Sequence, residues 1–105
     1  MLNAVNTYNV SEFDFHLNCP KECKPLCIKV IDGQAKMYMA VDNMSFATSR
    51  RFVVVSEHRN SVDNLANCTY VDSFKPRDGA PMHHVFDATP QPGPLEQLAA
   101  CGDVR

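Results

Sequence analysis

Apolar and polar positions alternate with a period of two along much of this chain, the pattern of strands that bury one face. Phe13, Phe15 and Leu17 alternate with Asp14 and His16, which predicts a strand there, while the residues before it carry no decisive pattern. Pro20 and Pro25 punctuate the next stretch, and Pro25 biases Lys24 away from helical geometry, so the segment 19–27 reads as a turn. Residues 26–31 and 35–41 are β-rich runs on either side of Asp32-Gly33. An Asp-Gly pair in that setting predicts a tight hairpin, because both central residues of the favoured turn need positive φ.

Residues 42–49 are polar and read as a connection, after which residues 51–57 have the β-branched density of a buried strand. A loop is expected over 58–67, and residues 68–74 and 82–88 are two further short strands separated by a turn rich in Pro, Asp and Gly. Five to six strands with regular turn punctuation predict a mainly β fold, a small antiparallel barrel or sandwich. Residues 1–88 form that single β domain in this reading. Residues 89–94 are too proline-rich for regular structure and read as an extended arm, and 95–101 predict a short C-terminal helix stopped by Gly102.

Composition supports a folded object of one domain: 105 residues, 45% hydrophobic and 21% charged. A chain this small leaves much apolar area exposed, so self-association into a homo-oligomer is a reasonable expectation. The formal net charge of -2 argues against a dedicated nucleic-acid binder, which normally carries a basic stripe. Positive charge is nevertheless concentrated centrally in Arg50, Arg51, Arg59, Lys75 and Arg77. Residues 1–18 show no basic segment followed by an apolar run, and no window is apolar enough for a membrane helix, so a soluble intracellular protein is expected. Five cysteines, at 19, 23, 27, 68 and 101, are an odd number and fit free thiols better than a disulfide framework.

Candidate chemistry is sparse. Cys19, Cys23 and Cys27 would line one face of a helix, but the prolines spoil that helix, and the spacing lacks the paired knuckles of a zinc site. Buried thiols are the simpler reading. His83 and His84 are neighbours on a predicted strand, so they point to opposite faces and one of them is inward. His58 and His84 are the histidines available for acid-base or ligand contacts. No serine sits in a nucleophile elbow and no glycine-rich phosphate loop is present, so no catalytic residue and no cofactor is expected. Met37 and Met39 share one strand face, read as a core face, with Tyr38 on the other.

The order of these motifs, a hairpin on Asp32-Gly33 ending in Val41-Asp42, a strand ending at His58, and a last strand carrying His84-Val85-Phe86, resembles a family of short tailed-phage accessory proteins. The likeness spans about residues 19–88, with His83 where the family often has tryptophan and Glu57 where it has glycine. It implies a phage-encoded protein acting in the cytoplasm of the infected bacterial host. The expected function is non-enzymatic binding that inhibits a host protein, in particular one of antiviral defence, as anti-CRISPR proteins do. Exposed Arg and Tyr dominate interface energetics, so Tyr38, Arg50, Arg51, Arg59, Lys75 and Arg77 are the candidate contacts. A second expectation is a homo-oligomeric sponge that sequesters an anionic nucleotide signal between arginines, aromatics and His58 or His84. A third is a small interaction module stabilised by zinc at the cysteine cluster.

Overall fold

The computed structural model describes residues 1–57 and 65–89. Among these residues seven strands run in chain order: β1 (Ala4–Asn9), β2 (Phe15–Pro20), β3 (Cys23–Ile31), β4 (Gln34–Val41), β5 (Ala47–Ser56), β6 (Thr69–Phe74) and β7 (His83–Asp87), with one 3-10 turn at Leu65–Asn67. They form a three-stranded sheet, β1-β4-β3, and a four-stranded sheet, β2-β5-β7-β6, with every pairing antiparallel. The mainly β expectation therefore holds, with one strand more than the five to six expected. The arm beyond Thr89 and the helix expected over 95–101 lie outside the described residues. Among the described residues, no helix is long and apolar enough to cross a membrane.

The register reveals a single long ribbon folded over on itself. β3 pairs with β4 around the Asp32-Gly33 turn, and β2 then pairs with β5, so the two arms of one hairpin stay together across both sheets. Asp32 at φ 52° and Gly33 at φ 79° supply the two positive values that the sequence requires. At the crease, two residues join β2 to β3 but five join β4 to β5. This inequality acts as an enlarged bulge, and bulges bend a ribbon. The backbone stays hydrogen-bonded through the bend: Lys21 N donates to Phe46 O at 2.8 Å, and Asp42 N to Glu22 O at 2.9 Å. The Asp42 carboxylate accepts from Met44 N at 2.9 Å, and Ser45 Oγ accepts from Glu22 N at 3.2 Å, which fixes the longer connection.

Folding the ribbon brings alternate residues of both halves into one core. Met37, Met39 and Val41 from β4 meet Phe52 and Val54 from β5 and Val85 from β7, and Phe15 stacks on Phe52 with centroids 5.2 Å apart. Opposite the crease, Val10 seals the end by donating from N to Ala35 O at 2.9 Å. Along one side, Asp72 of β6 ties the sheets together, its Oδ2 accepting from Ile28 N of β3 at 2.7 Å.

Several local expectations are corrected. The turn expected over 19–27 contracts to Lys21 and Glu22, and Pro25 is accommodated inside the edge strand β3 beside a bulge at Pro25/Cys27. The strand expected from Phe13 begins at Phe15, leaving Phe13 74% exposed. β5 starts at Ala47, inside the expected polar connection.

Replacing Phe52 with alanine is expected to lower unfolding free energy by about 3–5 kcal/mol, as for other large buried aromatics. Gly33→Ala, which forces a Cβ into the left-handed region with open space around it, should lower it by about 1 kcal/mol. Urea titrations of the two variants against wild type measure both.

Candidate functional site

Strand alternation assigns the side chains of the four-stranded sheet to two faces. The inner row of β2, β5 and β7 includes Leu17, Cys19, Arg50, Phe52, Val54, Val85 and Asp87; the outer row includes His16, Arg51, Val53, His84 and Phe86. Arg50 and Arg51, adjacent in sequence, consequently have different roles.

Arg50 is turned into the protein. Its Nη2 donates to Asp87 Oδ2 in an ion pair whose side chains are 12% and 7% exposed. Asp87 Oδ1 accepts from Thr89 N at 2.9 Å, whereas Arg50 Nε has no hydrogen-bond partner among the described residues. The expectation of Arg50 as an exposed contact residue is therefore corrected: it sits on the core-facing side of β5, and its charge is neutralised internally. A cleft of about 160 Å³ reaches this pair at the seam between the sheets, lined by Lys24, Pro25, Thr69, Tyr70, Val71 and Asp87. Cys19 lies in the same region, its thiol pushed up to about 12 by burial and by neighbouring Cys23.

The outer face carries a connected polar chain. His84 Nδ1 is 2.7 Å from Ser73 Oγ, the Ser73 and Tyr70 hydroxyls hydrogen bond to each other, and His84 Nε2 is 3.8 Å from Glu57. Tyr70 also meets Phe86 edge-on, with centroids 5.4 Å apart. The bulge at Tyr70/Asp72 in β6 leaves Tyr70 53% exposed. Further along this face Arg51 is exposed and cross-strand from exposed His16. The Arg51 backbone is held by Thr89, whose Oγ1 accepts from Arg51 N at 2.9 Å.

Tyr38, Lys75 and Arg77 do not join this face. Tyr38 is half-buried on the outer side of the three-stranded sheet, with Lys29 Nζ 6.0 Å from its ring centroid. Lys75 and Arg77 lie in the β6–β7 connection, where Arg77 pairs with Glu12 at 3.0 Å. His58 and Arg59 lie outside the described residues. Of the two adjacent histidines, His83 is the inward one: its Nδ1 donates to Pro81 O at 2.9 Å and its ring stacks on Phe74. Met37 and Met39 are fully buried, as a core face requires. Among the described residues, no group of three or more His, Cys, Asp or Glu side chains is placed to hold a metal ion.

The Ser-His-Glu order on the outer face invites comparison with a catalytic triad, but an acyl-transfer site also needs donors for the developing oxyanion. The nucleophile's own amide, a usual donor, is occupied here: Ser73 N donates to Asp72 Oδ1 at 2.8 Å. Tyr70 and Ser73 carry no spacing signal in the sequence, and only the bulge in β6 links both to His84. No protein-family model matches the chain, and no curated protein or solved structure matches it.

Breaking the inner ion pair with Asp87→Ala should destabilise the fold by about 3–5 kcal/mol, because it strands a buried guanidinium; the double variant Arg50→Met/Asp87→Leu should recover most of that loss in urea melts. The Cys19 thiol gives a pH signature. Because its folded value is raised above the ordinary 9.0, the neutral form is favoured by folding, and that stability is complete below 9 and lost as pH rises toward about 12. Wild type should therefore lose more stability than Cys19→Ala across that window, measured by denaturation at each pH.

Proposed function

We propose that the protein is a phage-encoded, non-enzymatic binding protein that inhibits a host component of antiviral defence in the cytoplasm of the infected bacterium. The observation that carries this reading is the outer face of the four-stranded sheet. It groups one exposed arginine, Arg51, with His16, Tyr70, Phe86 and His84. Arg and Tyr concentrate binding energy at interfaces, since each offers a large apolar body together with directional hydrogen bonding. Tyr70 is half exposed yet held by Ser73 and Phe86, so little rotamer freedom remains to be lost on binding. The occupied Ser73 amide favours recognition over acyl transfer as the role of the polar chain. The resemblance of the motif order to phage accessory proteins supplies the biological setting.

The proposal is tested by plaque formation of phage lacking the gene on matched hosts with and without each defence system, with the gene supplied in trans. Wild type should restore plating on one defended host, and Arg51→Ala/Tyr70→Ala should abolish the restoration while keeping the wild-type melting temperature. On the purified defence protein, each single change should weaken binding about 30-fold, the scale of a 2 kcal/mol hot spot. Restoration by the double variant at wild-type level would overturn the assignment of the face. Purified protein that carries nucleotide, seen as excess absorbance at 260 nm, would overturn the protein-partner reading in favour of a nucleotide-sequestering one.

A further inference from the structure

We propose that Cys19 and Cys23 form a dithiol modification site, which a low-molecular-weight disulfide converts to an intramolecular cystine across the crease of the ribbon. Cys19 ends the inner row of β2, and Cys23 opens the inner row of β3, so the two face each other where the chain passes from one sheet to the other. Their Sγ atoms are 3.9 Å apart. A disulfide needs about 2 Å, so the two sulfurs have about 2 Å left to close. The intervening backbone is fixed: Pro20 restricts its own φ, Lys21 N donates to Phe46 O, and Glu22 N donates to Ser45 Oγ. The thiols therefore stay opposed without any rearrangement of the strands.

Cys27 does not share this geometry. The bulge in β3 shifts it into register with Tyr38, and Tyr38 lies on the outer side of the sheet. Within the opposed pair the two thiols are unequal. Cys23 is half-buried and meets a reagent first, whereas Cys19 is 2% exposed and has Cys23 Sγ beside it. The step is a thiol–disulfide exchange in two stages. Cys23 thiolate attacks one sulfur of the small disulfide, forming a mixed disulfide and releasing one small thiolate, which takes up a proton. Cys19 thiolate then attacks Cys23 Sγ, closing the cystine and releasing the second small thiolate. Two electrons and two protons pass from the protein to the reagent. The charged groups that reach Cys19 from the other strands, Arg50 of β5 and Asp87 of β7, act in opposite directions on its ionisation. Burial keeps the thiol protonated at neutral pH, so the closing stage is the slow one and base accelerates it.

The experiment incubates native full-length protein with oxidised glutathione at mildly alkaline pH, quenches with acid and maps the non-reduced tryptic peptides by mass spectrometry. Cleavage after Lys21 separates Cys19 from Cys23, whereas the Lys24–Pro25 bond resists trypsin and keeps Cys23 with Cys27 on residues 22–29. A cystine therefore appears as residues 1–21 joined to 22–29 with a loss of about 2 Da for the two thiol hydrogens, and fragment ions place the bond on Cys23. That product should form in the folded protein, and Cys19→Ser should stop at a glutathione adduct on Cys23. Should Cys19→Ser not fold, Cys27→Ser serves instead, because it should close the same bond at the wild-type rate. The proposal is overturned if folded wild type accumulates only the Cys23 adduct, if the cystine links another pair, or if the bond forms only in denaturant.

Discussion

The fold depends on one bend. A hairpin long enough to make two sheets is turned over between Pro20 and Cys23 on one arm and between Val41 and Ala47 on the other, and the shared core is buried because of that turn. Without it, Met37 and Met39 on one half and Phe52 and Val54 on the other would form two exposed apolar stripes of a flat ribbon. With it, they share a single core. An isolated two-stranded ribbon is marginal in water, and the fold-over supplies the second layer that makes it independent. β1 then adds to the open edge of one half and β7 to that of the other, with β6 pairing in turn on β7.

The bend also explains the polar interior. Near the crease the inner row of β5 is Thr48 and Arg50 rather than aliphatic, and β7 ends there with Asp87. An arginine on this row has to be neutralised where it stands, since an unpaired buried charge would cost several kcal/mol. Asp87 does so, and Thr89 in turn holds Asp87 while clasping the backbone of Arg51. The outer face is thus fastened to the inner ion pair through adjacent residues. Arg51 presents its side chain outward from a backbone that the Asp87–Thr89 corner fixes, which is the rigidity a recognition surface needs.

Much of this architecture was legible in the chain. Asp32-Gly33 announced the hairpin because few residue pairs tolerate positive φ twice, and the methionine stripe announced a core face because alternation admits no other place for it. β1 escaped notice because its inner row is Ala4, Asn6 and Tyr8, while Val5 points outward at 59% exposure, so its hydrophobic alternation runs opposite to its burial. Arg50 and Arg51 look alike in sequence, and only the strand phase, set by Phe52 and Val54, decides that Arg50 is the one inside. The outer-face site was half visible: Arg51 and His84 were named, but the chain from Tyr70 through Ser73 depends on a bulge, and a bulge in β6 leaves no mark in a pattern of two. The pairing of Cys19 with Cys23 is hidden for a related reason: their spacing suggests a helix face or a zinc knuckle, and only a chain that changes sheets between two strands opposes the thiols.

The most direct test of the folded ribbon is the set of nuclear Overhauser contacts from the methyl groups of Met37 and Met39 in protein labelled at methionine methyls. The account predicts contacts to the Phe52 ring and to the methyls of Val54 and Val85, which belong to the other sheet. Contacts confined to β1, β3 and β4 would contradict it, because they would mean that the two halves of the ribbon do not close on one core.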